Sequence, residues 1–476
     1  MSAEYDAIVV GAGPNGLTAA ATLATAGRSV LVVERSEEIG GATRSTDHGS
    51  PGWIHDMGAT IHSLAAASPA YERLGLEGHG LEYLHFDIEL AHVLDDARGA
   101  ALCRDVDATA DGLGVDGPRY ARLMTPLVDR FDDLRHDVLG PLVGIPRHPV
   151  ALARFGAYAA LPATLLARRF RTEEARALLL GNAAHSYARL TRPLTASFAL
   201  MLGTSAHAAG WPVIAGGSRA LAASLRSVIE SNGGEIVTGH DVTDRRALPE
   251  HGMLFLDTSP SAAASILDAD LRASRRRRFR RFRHGTGAFK IDYELSEPIP
   301  WAYEAARSAG TVHVIGSPDE LVAAERDVNL GAMPDRPFVL VAQASLVDPS
   351  RAPEGRHTAW TYAHVPAGYT GDATTSIERQ LERFAPGFAD LVLARHVTAT
   401  TALEQANPNL LGGDIGGGSY SGLQAIRRPR LSPTPYRAGP PGVFLCSAST
   451  PPGAGAHGMC GHLAALDALG STSDLA

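Results

Sequence analysis

Apolar residues along this chain follow two rhythms, and the change from one to the other marks its parts. Tyr5 to Val10 (YDAIVV) is a short, nearly unbroken apolar run, the pattern of a parallel strand buried on both faces. The small, apolar stretch LTAAATLATAGRS then predicts a helix ended by Gly27, and Val30 to Val33 a second buried strand. Between 118 and 208 apolar residues recur at helical spacing in RYARLMTPLVDRFDDL, VALARFGAYAALPATLLARRF and TEEARALLLGNAAHSYARL. Prolines divide these helices, and a helical cap is expected. From 286 to 365 the runs AFKIDYEL, TVHVIG, PFVLVAQASL and HTAWTYAHV are β-branched and aromatic with partial alternation, which predicts an antiparallel sheet flooring a pocket. Gly442 to Cys446 (GVFLC) adds a late apolar strand.

Between the first strand and its helix stands GAGPNG, the G-x-G-x-x-G pattern in its strand-to-helix setting. Gly11 allows the tight turn, Gly13 lets the backbone approach a pyrophosphate, and Gly16 lets helix and strand pack closely. The second strand ends in Glu34, where a carboxylate accepts hydrogen bonds from adenosine ribose hydroxyls and disfavours a 2'-phosphate. The bland alternative is a simple glycine turn, but strand, helix, second strand and acid are all in register. RSEEIGGATRS follows Glu34, and this ERxxxxGG arrangement resembles the extension of FAD-binding oxidoreductases of the glutathione reductase superfamily. FAD is therefore expected over NAD.

At the other end CSASTPPGAGAHGMCGH forms a glycine-rich loop opening a small-residue helix. It resembles, without a gap, the C-terminal flavin motif of bacterial phytoene desaturases, with Thr450, Pro452, Gly453, Ala454, Gly455, Gly458 and Gly461 matching. DMGAT at Asp56 to Thr60 resembles the DxGxT segment that passes the flavin ring in those enzymes. Gly210 to Val242 resembles their PxGG helix and the strand whose valine meets adenine. The order of the pieces also matches, so the chain resembles the phytoene desaturase-like FAD oxidoreductases, in a branch outside the true carotenoid desaturases. The resemblance implies non-covalent FAD held by Gly11, Gly13, Pro14, Asn15, Gly16, Glu34, Arg35, Gly41, Ala42, Gly58, Ala59, Thr60, Val242, Gly455, His457, Gly458 and Met459. His62 and His457 replace expected apolar residues or proline, and Cys446 and Ser447 alter a small-residue turn. Fold and cofactor are carried over; the substrate is not.

The fold class expected is α/β, a Rossmann-type FAD-binding domain of the glutathione reductase kind with a discontinuous substrate domain of mixed sheet and helical cap. The FAD-binding domain is assigned to residues 1–75, 212–262 and 405–476, the cap to 76–211 and the substrate sheet to 263–404. GAGAHG at Gly453 repeats the glycine pattern, but it lies several residues beyond its strand and no ribose acid follows, so no nicotinamide domain is expected. No C-x-x-C is present for a flavin-to-disulfide relay. GGDIGGGSYSG near 412 is expected to be a loop against the cofactor.

A formal charge of -8 offers no general basic surface, so nucleic acid is not an expected partner. Three scattered cysteines, Cys103, Cys446 and Cys460, suit a reducing compartment, and the acidic start lacks a secretion signal, giving a cytoplasmic expectation. RRRRFRRFR at Arg275 to Arg283 reads as a solvated helix face before a site for an acidic substrate tail or a membrane surface, and VALARFGAYAALPATLL as core before a membrane-dipping segment.

Flavin oxidation of a C–H bond needs hydride geometry and a base for the second proton. His62 is one candidate, against a hydrogen-bonded structural histidine; Lys290 is the other, facing either the pocket, where burial would lower its pKa, or solvent. His457 is expected to touch the cofactor. The function expected is desaturation or dehydrogenation of a largely apolar small molecule, with oxygen or a quinone as acceptor and peripheral membrane contact as an option. The alternatives are a flavin amine oxidase, weakened by the absence of aromatics from the terminal loop, and a redox-neutral isomerase or flavin-binding module.

Overall fold

The computed structural model describes residues 4–141 and 143–470. In chain order its principal strands are β1 (Tyr5–Val10), β2 (Val30–Val33), β3 (Ile88–Val93), β4 (Gly99–Leu102), β5 (Glu235–Val237), β6 (His251–Leu256), β7 (Gly287–Leu295), β8 (Ala309–Val314), β9 (Val339–Ala342), β10 (His357–Val365), β11 (Val392–Thr398) and β12 (Val443–Leu445). The helices that matter for the site are α1 (Pro14–Thr25), α2 (Gly117–Val128), α3 (Pro149–Ala159), α4 (Glu173–Ala184), α5 (Thr195–Ala208), α6 (Arg219–Ser231), α7 (Ala273–Arg280) and α8 (Met459–Leu469).

Five strands form a parallel sheet in the order β12-β6-β1-β2-β5. Pro14 supplies a preset first turn for α1, and the small residues that follow are buried from Asn15 to Ala24. Burial all round is possible because α1 is sandwiched: its other side meets α8 so closely that a Cβ on Gly461 would fall on the Asn15 carbonyl oxygen. α6 packs against α1 as well. The two ends of the chain thus build one dinucleotide-type layer.

Seven strands form the second sheet, in the order β11-β7-β10-β9-β8-β3-β4. All neighbours are antiparallel except β8 and β3, which run parallel. The strands expected from 286 to 365 are present as β7 to β10. Residues 88–102, expected within the helical cap, instead form the β3–β4 hairpin at one edge of this sheet. The reason is local: IELAHV is too short for a buried helix, and Asp96 and Ala97 adopt φ of 60° and 54° to turn the chain back. The cap helices begin after this hairpin.

The two faces of the sheet differ. Phe289, Ile291, Tyr293 and Leu295 of β7 join a core with Val312, Val341 and Ala363 on one side. On the other, the register aligns Lys290 with Tyr362, Asp292 with Trp360, and His313 with both Leu340 and His92. A polar stripe therefore crosses the face turned toward the cap, where a Cβ on Gly181 of α4 would lie 2.7 Å from His92 Nδ1. α7, carrying the arginine run, buries Phe279 and leaves Arg277, Arg278 and Arg280 exposed, the expected solvated face. Among the described residues no helix is long and apolar enough to cross a membrane.

Candidate functional site

Gly11 turns the chain with φ of 99°, a left-handed value that glycine reaches at little cost. Glu34, at the end of β2, reaches back over this turn: its Oε2 accepts the Ala12 N–H at 2.7 Å and its Oε1 the Ser36 N–H at 2.9 Å. The carboxylate is thereby held rigidly, and each oxygen keeps a lone pair for a ribose hydroxyl. Arg35 points to solvent. The Gly40 N–H donates to the Ala12 carbonyl at 2.7 Å, which lays the 40–44 loop on the first glycine turn. Gly41 comes so near that its Cβ would lie 3.0 Å from the Gly13 Cα, and a Cβ on Gly58 would overlap the Ala42 carbonyl. Three segments distant in sequence are stacked in this way. Gly11, Gly13, Pro14, Gly41, Ala42, Gly58 and Ala59 are only half-buried among buried neighbours, so the stack presents a strip of accessible main chain.

These residues fit FAD. Glu34 is preset, the glycine strip admits a close approach, and the buried Asn15 Oδ1 has no partner of its own. Sequence reasoning missed one member of the cradle. Asp257, directly after β6, is bound by main chain and not by a cation: its Oδ2 accepts the Gly16 N–H at 2.9 Å and lies 2.6 Å from where a Gly13 Cβ would be. Burial, reinforced by Glu34 and opposed by the Gly16 N–H, raises its pKa to about 7. The available signal was its place, a carboxylate ending the strand beside β1.

Thr60 and the residue that opens its segment, Asp56, belong to a buried network. Arg351 donates to Asp56 Oδ2 at 2.7 Å and to Asp348 Oδ2 at 2.8 Å, Thr60 donates to Asp56, and the Ser218 N–H donates to Asp56 Oδ1. Burial alone would raise Asp56, but Arg351 and these donors hold it down at about 2. His62 is buried beside it. Because the Ser218 hydroxyl donates to the Ala59 carbonyl, it accepts from His62 Nε2, leaving Nδ1 as a buried acceptor without a partner. Burial lowers the His62 pKa to about 4, so the ring is neutral. Lys290 does face inward, but as the ion partner of Asp292, which also binds His48. Of the two directions open to it, the side chain takes the buried one and meets Asp292, because the i and i+2 side chains of a strand share a face. No contact among the described residues joins His62 to Lys290.

The terminal loop folds over α1. Ser68 and Tyr71 donate to the carbonyls of His457 and Ala456, Gly455 is exposed, and Gly458 is buried against Thr18 and Tyr71. Gly458 thus serves helix packing. His457 Nδ1 accepts the Met459 N–H at 3.1 Å, its Nε2 has no partner, and burial lowers its pKa to about 4. Val242 lies beyond the end of β5 and packs with the Ile8 and Leu31 cluster. The glycine loop near 412 does reach the terminal loop: Arg428 binds the carbonyls of Gly416, Gly417 and Ala448, and the Tyr420 hydroxyl accepts the Ala454 N–H at 3.1 Å. An aromatic side chain therefore meets the terminal loop after all, brought from a segment 34 residues away. All three cysteines are free, and burial pushes the Cys460 thiol up to about 11.

A cavity of about 1580 Å³ opens beside this loop. Its walls include Phe155, Phe198, Met201 and Leu202 of the cap, and Ala454, His457 and Met459 of the loop. It contains charged residues too, among them Arg135 and Arg147.

Residues 9–74 match the family described as NAD(P)-binding Rossmann-like domain. Over 138 residues the chain is 32% identical to one of the limonene dehydrogenase proteins of Castellaniella defragrans, a match that spans 29% of this chain but only 25% of that relative. It is 25% identical to pyridine nucleotide-disulfide oxidoreductase domain-containing protein 2 of Rattus norvegicus, across 97% of this chain and 93% of the relative. Among solved structures it resembles an oxidoreductase from Methanosarcina mazei (TM-score 0.61, 14% identity, 98% and 99% of the two chains). It also resembles cyclohexylamine oxidase from Brevibacterium oxydans (TM-score 0.60, 17% identity, 99% of both chains). At such identities the structures speak for the fold alone. That fold is an α/β architecture shared with those oxidoreductase structures, a parallel Rossmann-like sheet with a separate mixed sheet.

Proposed function

We propose that this protein is an FAD-dependent dehydrogenase of the phytoene desaturase-like kind, acting on a largely apolar small molecule. The observation that carries this reading is the cavity of about 1580 Å³ running between the cap and the terminal glycine loop, with Phe155, Phe198, Met201 and Leu202 along it. When bound, FAD would take a hydride from a substrate C–H bond and pass the electron pair on to oxygen or a quinone. Glu34 would hold the ribose, the N-terminus of α1 would take the pyrophosphate, and the exposed Gly455 with His457 and Met459 would border the reacting part. His62 Nδ1 is a neutral, unpartnered acceptor, the candidate to receive a proton from the substrate, whereas His457, whose Nδ1 accepts the Met459 N–H, carries its ring proton on Nε2 and offers a hydrogen-bond donor there. Ile145 and Val150 stand exposed beside Arg147 near the cavity rim, a suitable contact for a lipid surface.

A second reading, flavin amine oxidase, is favoured by one observation: Tyr420, whose hydroxyl accepts the Ala454 N–H, is an aromatic residue on the cavity wall beside the terminal loop. Two measurements test the proposal. Heat-released cofactor is identified by mass spectrometry, with FAD expected; FMN, NAD or no nucleotide overturns the cofactor reading. Anaerobic mixing with alicyclic unsaturated compounds or with simple amines is then followed by flavin bleaching. Bleaching by amines alone moves the protein to the amine oxidases, and bleaching by neither class leaves a redox-neutral role.

A further inference from the structure

Away from the cradle, three strands bring together side chains that the reaction above does not use. His396 of β11 stands opposite Asp292 of β7 in the register, and Glu294 lies two residues on, on the same face. A short ribbon pairing Ser45–Thr46 with His55–Asp56 crosses this face and adds His55. One ligand atom from each of His55, Glu294 and His396 lies within 4.8 Å of the other two. His396 Nε2 is 2.9 Å from Glu294 Oε1, and the His48 ring stacks on that of His396 at 4.5 Å between centroids.

The polar atoms here are not balanced by one another. His55 is 2% exposed and its Nε2 has no hydrogen-bond partner. Asp292 is fully buried; its Oδ2 is bound by Lys290 and His48, but its Oδ1 accepts no hydrogen bond, the nearest imidazole nitrogen of His55 standing 4.0 Å away. Buried polar atoms are ordinarily satisfied, so two unfilled positions at one place call for a missing partner. Lys290 offsets the charge of Asp292, which leaves the Glu294 carboxylate for a cation.

We propose that His55, Glu294 and His396 bind a divalent transition metal, zinc by preference, with Asp292 and His48 as the outer partners that orient the imidazoles. Two imidazoles and a carboxylate are a zinc donor set, with bonds of roughly 2.0 to 2.2 Å that small side-chain rotations allow here. The ion ties the ribbon to the sheet. Since His55 is followed by Asp56, that clip also anchors the segment running past the cofactor cradle.

The test uses untagged full-length protein stripped with a chelator, then titrated with Zn²⁺ alone. Metal content after dialysis, the melting temperature and the visible spectrum of a Co²⁺-substituted sample are the readouts. The expected result is about one tightly held metal per chain, a raised melting temperature and a Co²⁺ spectrum of four or five coordination, consistent with three protein ligands. Glu294→Gln keeps the shape and a hydrogen bond to His396, so it tests the ligand without removing the side chain; it and His396→Ala lose the metal and the thermal shift. Circular dichroism and FAD content confirm that each variant is folded. Wild-type protein that keeps only traces of metal, or folded variants that bind it as well as wild type, overturns the proposal.

Discussion

Replacing Asp257 by asparagine keeps its shape and removes its charge at the point where α1 would meet a pyrophosphate. In the folded chain the carboxyl titrates at about 7 against an ordinary 3.8, so between those values the folded state holds a proton that the unfolded state has released. Stability is therefore full below 3.8 and declines as pH rises to about 7. The difference of about 3 pH units corresponds to a loss on the order of 4 kcal/mol as an upper bound. A bound dinucleotide adds negative charge beside Asp257 and further favours its protonated form. Wild-type FAD affinity should then weaken above pH 7, by up to about tenfold per pH unit, while Asp257→Asn stays level and binds tighter at pH 8. Urea unfolding of the apoprotein from pH 5 to 8, with FAD titration by flavin fluorescence at the same values, measures both. Parallel pH profiles for wild type and variant would exclude titration of Asp257 as the cause, as would loss of FAD binding in a folded Asp257→Asn protein.

Glu34→Ala should lower FAD affinity tenfold or more, at about 1.5 to 3 kcal/mol per charge-assisted hydrogen bond lost, and should also lower the apoprotein melting temperature because Ala12 and Ser36 lose their acceptor. Unchanged FAD dissociation would remove Glu34 from the ribose. Arg351→Ala leaves Asp56 and Asp348 buried without their cation and should cost about 3 to 5 kcal/mol in urea unfolding. Asp56, held at about 2, contributes stability above its ordinary 3.8 that is lost as pH falls toward 2; a variant with the same acid limb as wild type would contradict this account. Gly461→Ala drives a methyl into the Asn15 carbonyl and should destabilise by about 1 to 3 kcal/mol in thermal unfolding, with FAD content falling as α1 shifts.

What could be read in the chain and what could not divide along a physical line. β1, α1 and β2 are consecutive, and their burial, glycines and closing acid follow from local geometry, so YDAIVV, GAGPNG and Glu34 were legible as a unit. β7 to β10 were legible as strands for the same reason, although IELAHV hid its hairpin inside a stretch dominated by helices. Side-chain direction could be read only as parity: Lys290, Asp292 and Glu294 must share a face, but the face becomes meaningful only when β11 and the His55 ribbon are laid on it. Asp257 is hidden in the same way. Its neighbours Gly13 and Gly16 are more than 240 residues away, and only the β1–β6 pairing turns a plain FLDTS into a carboxyl at a helix N-terminus. Tyr420 repeats the lesson in the opposite sense, since an aromatic absent from the terminal loop in sequence is supplied through space by the glycine loop before it. The β1–α1–β2 part of the cradle follows from neighbours in sequence, whereas the groups that tune it arrive through strand pairing and loop packing, so substitutions at Asp257 and Tyr420 probe the part of the site that spacing alone does not encode.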